Sequence, residues 1–498
     1  MAETSTGIQG RAERTYVLRL AAEIATKSRR TRGQFLQALA RNVRDALDQV
    51  DPSAVLEEEW SRLLVRSRSP RLPTVLGRVF GLSSVSPYDA VVPADLAEIV
   101  EAGRRLYADR VKGRRYAVRA RRSGRHSFSS HDIHVELGAA LNPGAEVNLD
   151  DPDIRVEVEV RESTAYLFAE RIPGAGGLPL GVEGRAVALI SGGYDSAVAA
   201  ALMLKRGVAL DYVFCNLGGE AYERAVLQVA KVLADDWSYG TRPRLLALDF
   251  SEIVEALQRE VRPAYLQVVL KRMMYRVGSR VAEELGGEAL VTGEALGQVS
   301  SQTLRNLRAI EPAASLPVFR PLIGFDKEQI IDRARSLGTA ALSEKVREYC
   351  AITPGRPVTG ASVAAVDAAE RNLDPKLISR AMETVRSHDL RDLAPSDLVS
   401  PYLFTSEIPE GTIVLDCRSP AEYRHWHLPG AEHRPEWDLL RSFKALDRGP
   451  TYVLYCAHGI HSAHIAERMQ REGFEAYSFR EGMRGILAWA EEKGARVP

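Results

Sequence analysis

Cysteine is scarce in this chain: Cys215, Cys350, Cys417 and Cys456 are the only four in 498 residues. Four so widely spaced thiols make no disulfide framework, and none falls in the paired spacing of a zinc site. Any cysteine role is therefore reactive and local. Net charge is lacking too, with 66 Lys and Arg against 66 Asp and Glu, so the chain as a whole does not advertise a polyanionic partner. No apolar run approaches the roughly 20 residues needed to cross a bilayer, and the opening stretch MAETSTGIQGRAERT holds no apolar signal core. These absences lead us to expect a cytoplasmic protein without a membrane partner. Internal repeats and low-complexity tracts are missing as well.

What is there is an ordinary globular mixture, 45% apolar and 27% charged, long enough for three or four domains. After a polar tail, TYVLRL reads as a strand and RRTRGQFLQALARNVRDAL as a helix with Phe35, Leu36, Leu39, Val43 and Leu47 on one face. RLLVRS alternates like a strand, AVVPADLAEIVEAGRRLYADRV reads as a helix, and RRYAVRARRSG as a strand. A helix capped by Ser129 or Ser130 follows, then two strands turning at Glu162 to Thr164. The first 170 or so residues thus form two small α+β units. Pro173 to Gly181 is a glycine-proline connector. Beyond it, AVALI, LDYVFCN, RLLALDF and ALVTG alternate with helices, the pattern of a doubly wound parallel sheet. A second boundary lies near LAPSDLVSPYL, and TIVLDCR, TYVLYC and EAYSF begin a smaller α/β unit.

ALISGGYDSAVAA, Ala188 to Ala200, passes from an apolar strand through a glycine turn into a helix-forming run. Such a turn cradles phosphate with its N–H groups, although glycines also make plain turns and Ser or Asp also cap helices. The turn has no Lys and lacks the spacing of the common triphosphate loop. Ser191, Gly192, Gly193, Asp195 and Ser196 instead resemble the pyrophosphate loop of the ATP-pyrophosphatase superfamily, whose members activate a carbonyl oxygen as an adenylate. A carboxylate at Asp195 beside phosphates implies an intervening Mg2+. Lys271 and Lys327 are candidate cations for the growing phosphate charge, or else solvated surface residues. The small-residue loop TGEALGQVSSQT either offers a close approach at Gly293 and an amide at Gln302 or is a plain glycine-containing turn.

Charge is neutral only on average. From Arg104 to Arg125 there are ten Lys or Arg against one acid, Asp109. Such density fits phosphate neutralisation with counterion release, or else a solvated strand face. Arg114, Arg115, Arg119, Arg121, Arg122 and Arg125 are the candidate phosphate contacts, while His126, Phe128 and His131 either stack on bases or pack. In LYCAHGIHSAHIAERM, Cys456 ends an apolar strand and precedes a helix, whose N–H groups and macrodipole stabilise a thiolate. The Cys-x-x-Gly-x-x-Ser pattern resembles the rhodanese active loop, in which the cysteine carries a persulfide. LDCRSPAEYRHWHLPGA supports this with its acid-x-Arg, Glu and His-x-Pro-Gly-Ala elements. His461 stands where rhodaneses often have Arg. Cys417 and Cys215 read as core residues.

The blocks NLGG, LKRMM, TGEALGQVSSQT, RPLIGFDK and EYC, in this order, resemble the bacterial tRNA uracil 4-sulfurtransferases, the 4-thiouridine synthetases also used in thiamine thiazole synthesis. The resemblance implies a ferredoxin-like domain over residues 1–73, an RNA-binding THUMP domain over 74–172, an ATP-pyrophosphatase domain over 173–398 and a rhodanese domain over 399–498. It implies ATP contacts at Leu189, Ile190, Lys271, Gly293 and Gln302, catalytic roles for Asp195 and Lys327, and THUMP-mediated tRNA binding at VRARRSGRHSFSS. It further implies that a desulfurase loads Cys456, that the position-8 uridine is adenylated and thiolated, and that Cys350 closes a redox-active disulfide with Cys456. A thiamine-pathway sulfur carrier is a further expected partner. Two rivals are an ATP-dependent ligase of small molecules and a sulfur donor for thiazole synthesis alone.

Overall fold

A computed structural model describes residues 13–59, 62–346, 356–399 and 401–494. The chain divides into two compact units, Met1–Val182 and Glu183–Pro498. Cys350 and its neighbours lie outside the described residues, as does most of the polar tail.

The first unit holds two five-stranded sheets. Strands β1 (Arg14–Leu20), β2 (Val55–Glu59), β3 (Arg62–Ser67), β4 (Leu82–Pro87) and β10 (Ile172–Pro173) pair antiparallel in the order β10-β4-β1-β3-β2. The Arg29–Asp48 helix, capped by the Ser28 hydroxyl, buries Phe35, Leu39, Val43 and Leu47. The expected boundary after residue 73 falls inside the Leu72–Gly77 helix. The domain runs on through β4, because the sheet needs that strand beside β1, and β10 returns to it from beyond the second sheet.

The second sheet is β5 (Ala90–Pro93), β6 (Arg115–Ser123), β7 (Glu146–Val147), β8 (Ile154–Arg161) and β9 (Thr164–Phe168), in the order β5-β9-β8-β6-β7. The stretch read as one helix from Ala90 begins as strand β5. Pro93 ends that strand, and the helix starts at Leu96, where the Asp95 carboxylate accepts from the N–H groups of Ala97 (2.9 Å) and Glu98 (3.2 Å). Ser129, not Ser130, caps the following Ser130–Leu141 helix, in a capping box with Asp132.

The second unit has a six-stranded sheet built from β11 (Arg185–Leu189), β12 (Ala209–Asn216), β13 (Arg244–Asp249), β14 (Leu290–Val291), β15 (Val318–Phe319) and β16 (Arg386–Asp389). Its order is β15-β14-β11-β12-β13-β16, parallel except for β16. The chain runs from β11 outward to β13, then crosses to β14 on the other side. The carboxyl end of β11 is therefore the topological switch point, where such sheets bind ligands. Strands β17 (Phe404–Thr405), β18 (Ile413–Asp416), β19 (Glu432–His433), β20 (Thr451–Tyr455) and β21 (Glu475–Phe479) form the fully parallel sheet of the C-terminal domain, in the order β17-β21-β20-β18-β19. The expected fold class holds throughout: ferredoxin-like and THUMP α+β units, a doubly wound sheet and a small α/β domain. Among the described residues no helix is long and apolar enough to cross a membrane.

Candidate nucleotide and cysteine sites

The glycine turn lies at that switch point. Ser191 leaves β11, Gly193 sits at the N-cap position, and the Tyr194–Lys205 helix follows. The turn closes on itself: the Ser191 N–H donates to Ser196 Oγ (3.0 Å), and the Ser196 hydroxyl donates to the Ser191 carbonyl (3.1 Å). Gly192 packs so tightly that a Cβ there would lie 2.1 Å from Val346 Cγ1. Gly293, at the end of β14, passes directly over the helix start. A Cβ there would stand 2.6 Å from Ser196 N, so only glycine permits this approach.

Around this turn opens a cleft. Leu189, Ile190, Ser191, Asp195, Ser196, Lys271, Gly293 and Gln302 all line it, so the structure gathers eight of the expected residues. Gly192 and Gly193 form the turn behind it. Apolar walls come from Val213, Phe214, Leu270 and Met274, a surface suited to an aromatic base. Cys215 is a core residue, as expected, and burial pushes its thiol up, but it also touches the cleft.

Lys327, the first residue of the Lys327–Leu337 helix, reaches Asp195. Its Nζ lies 2.8 Å from Oδ1, and the Gln298 amide donates to Oδ2 at 2.7 Å. This changes the metal argument. The expected Mg2+ rested on an uncompensated carboxylate, whereas the chain compensates Asp195 with its own lysine and an amide. Among the described residues no cluster of three His, Cys, Asp or Glu could hold a metal ion.

Sequence reasoning missed Glu294. It is buried, yet Tyr275 Oη donates to it at 2.5 Å, Arg320 Nε at 2.9 Å and the Thr292 hydroxyl at 3.0 Å, and Lys271 Nζ stands 3.8 Å away. Burial pushes its carboxyl up, but Lys271, Tyr275 and Arg320 together overcome that and hold it below the ordinary value. The signal was the acid in the TGE triplet, legible only once its cations were known.

In the C-terminal domain Cys456 directly follows β20, two residues before the exposed His458 and ahead of the Ile460–Arg471 helix. Its sulfur accepts three hydrogen bonds, from Gly459 N–H (3.2 Å), Ser462 N–H (3.5 Å) and the Ser462 hydroxyl (3.3 Å). Gly459 has φ +86°, which turns its N–H toward the sulfur at no steric cost. Ser462 is itself held by Ser478 Oγ at 2.8 Å. His461 Nδ1 meets Glu436 Oε2 at 2.6 Å. Cys417 is a core residue, as expected. Burial, and then the neighbouring Cys456, push its thiol well up.

The two sites share a border. Glu467, on the Cys456 helix, accepts from the Glu220 N–H at 2.7 Å, at the start of the Gly219–Trp237 helix. Ala463 packs with Ala221 and Leu403. Leu217 lines the nucleotide cleft and also the groove beside His464. Burial, with Arg468 alongside, pushes the His464 imidazole down to about 4.

In the first unit the basic residues lie on and beyond β6. Arg114, Arg121, Arg122 and Arg125 are exposed. Arg115 is already neutralised by Asp151 (2.9 Å) and Asp153 (2.8 Å), and Arg119 donates to the Leu149 carbonyl. Arg122 reaches His126 Nδ1 at 3.0 Å. Phe128 is buried, so it packs; His126 leans on it with ring centroids 5.4 Å apart, and His131 is exposed.

Comparison with known proteins follows the same divisions. Residues 15–86 match the ThiI ferredoxin-like domain, 93–170 the THUMP domain, 181–374 the family described as thiamine biosynthesis protein (ThiI), and 401–491 the rhodanese-like domain. The tRNA sulfurtransferase of Pyrobaculum aerophilum is 38% identical over 92% of this chain and 95% of its own length. That of Desulfurococcus amylolyticus is 39% identical over 96% and 99%. That of Pectobacterium atrosepticum is 36% identical over 92% and 98%. The first two relatives are archaeal, so the likeness is not confined to bacteria. A crystal structure of a 4-thiouridine synthetase–RNA complex with bound ATP superposes with TM-score 0.68 at 30% identity, covering 76% of this chain and 99% of that one.

Proposed function

This chain belongs to the tRNA sulfurtransferase family, and on that footing we propose that it transfers sulfur from a Cys456 persulfide to a tRNA uridine, at position 8, giving 4-thiouridine. ATP occupies the cleft at the carboxyl end of β11, its base against the apolar wall and its phosphates over the Ser191–Ser196 turn. Uridine O4 attacks the α-phosphorus and pyrophosphate leaves, with Lys271 and Lys327 facing the developing charge. Asp195 holds Lys327 in place. Mg2+ bound with the nucleotide would offset phosphate charge beside the Ser191–Ser196 turn, where Asp195 is the carboxylate that lines the cleft. The outer persulfide sulfur then attacks C4 and AMP departs. A thiol, assigned by family resemblance to Cys350, attacks Cys456 Sγ; the disulfide forms and the electron pair leaves on the thiouridine sulfur.

The observation that supports this reading most is the Cys456 sulfur held by three donors in the same unit as the nucleotide cleft. Those donors converge on Sγ, the atom that accepts sulfane sulfur and is later attacked on release. tRNA is held by the exposed arginines Arg114, Arg121, Arg122 and Arg125, with Arg115 and Arg119 spent within the domain. A cysteine desulfurase supplies the sulfur, in the cytoplasm, and the family description supports a second use as sulfur donor for thiamine thiazole synthesis through a carrier protein. The test is mass spectrometry of tRNA nucleosides after incubation with ATP, cysteine and a desulfurase. 4-Thiouridine is expected with the native chain. It is absent with Cys456→Ala, which still releases pyrophosphate when tRNA is present. Thiolation at the native rate by Cys456→Ala overturns the cysteine assignment.

A further inference from the structure

Strands β18 and β20 run parallel with Asp416 opposite Tyr455, so the next residues, Cys417 and Cys456, leave the sheet side by side. The Cys417 N–H donates to the Tyr455 carbonyl at 2.9 Å, which keeps the pairing through this point. Alternation then settles the faces. Leu415, Cys417, Leu454 and Cys456 enter one core cluster, whereas Val414, Val453 and Tyr455 enter the opposite one. Two thiols thus leave adjacent strands on the same face. Parallel neighbours stand about 4.8 Å apart, inside the roughly 4.4–6.8 Å between Cα atoms that a disulfide spans. Neither thiol is bonded to another cysteine among the described residues.

We propose that Cys417 and Cys456 are a redox pair, in which Cys417 closes an intradomain disulfide when a hydroperoxide oxidises Cys456. The inference rests on the reading above for one point, that Cys456 is the reactive thiol. The Cys456 thiolate attacks the peroxide, its sulfur gains hydroxyl, and hydroxide or an alkoxide leaves. The Cys417 thiol then attacks the sulfenic sulfur; the S–S bond forms, the S–O bond breaks, and the thiol proton leaves with hydroxyl as water. A dithiol later returns both cysteines to thiols. Burial keeps Cys417 protonated and inert toward alkylation until its neighbour is oxidised. An apolar residue there would pack as well but would leave Cys456 to over-oxidise.

The test treats the reduced full-length protein with hydrogen peroxide, blocks free thiols with iodoacetamide and digests it without reductant. Mass spectrometry is expected to find a peptide linked through Cys417 and Cys456, sensitive to dithiothreitol and formed equally in Cys350→Ser. In Cys417→Val, and in Cys417→Ser as the second variant, Cys456 is expected to proceed to sulfinic acid. About tenfold less of its thiol is then recovered on reduction. Oxidation of Cys456 in the native chain with no such peptide overturns the pairing. So does equal accumulation of sulfinic acid in the native chain and in both variants. No ATP, tRNA or desulfurase enters this test, so its failure is distinct from failure of the nucleoside assay.

Discussion

The nucleotide cleft and the cysteine loop both manage negative charge, but with different groups. In the cleft, side chains from distant segments do it: Lys327 on Asp195, and Lys271 with Arg320 on Glu294. At Cys456, two backbone N–H groups and one hydroxyl do it, all within six residues of the sulfur. A phosphate reaction moves charge over several atoms, and long cations follow it. A sulfur atom needs donors converging on one point, which a helix start supplies.

The sharpest break in that comparison is Asp195→Asn. Asparagine keeps an acceptor for Gln298 but no charge for Lys327. Pyrophosphate release with tRNA is expected to fall by roughly 10²-fold, while desulfurase loading of Cys456 stays unchanged. Equal losses in both assays would mean that the sites are not separable.

A smaller effect concerns what anchors the cysteine helix. His464 titrates near 4 when folded, below the ordinary 6.5. Its depressed value means that the unfolded chain binds a proton the folded chain refuses. The contribution is fully present above pH 6.5 and is lost as pH falls toward 4. The loss approaches about 1.4 kcal/mol per pH unit within that window. Urea unfolding between pH 7 and 5 is expected to show this slope in the native chain and a flatter one in His464→Gln. Parallel curves would remove the buried imidazole from the anchoring of this helix.

The smallest expected effect is Ser462→Ala. It removes one of three donors and leaves both N–H groups, so Cys456 should alkylate with iodoacetamide about threefold to tenfold more slowly, the size of one hydrogen bond of ~1 kcal/mol. A loss beyond a hundredfold would show that the hydroxyl, and not the backbone, governs the sulfur.

Much of this was legible in the residues. The strand–turn–helix around Ser191 follows from an apolar run, two glycines and an alanine-rich helix, all local. Cys456 at a strand end before a helix was legible for the same reason. The first domain boundary was not, because β4 belongs to the first sheet through pairing with β1, and nothing between residues 73 and 82 marks that. Proline and β-branched residues at 90–93 announced a strand that the helical pattern after Asp95 masked.

The amino-acid sequence alone determined the local elements, the four-part order of domains and the residues that line each loop, because backbone preference and apolar period act between near neighbours. Only the tertiary structure decided which charges meet. Lys327 stands 132 residues from Asp195, and Cys417 touches the strand of Cys456 through β18 and β20. Packing of the Lys327–Leu337 helix on the Tyr194–Lys205 helix made the first encounter and strand register the second, and both come from setting one whole element against another, which no short stretch of chain specifies.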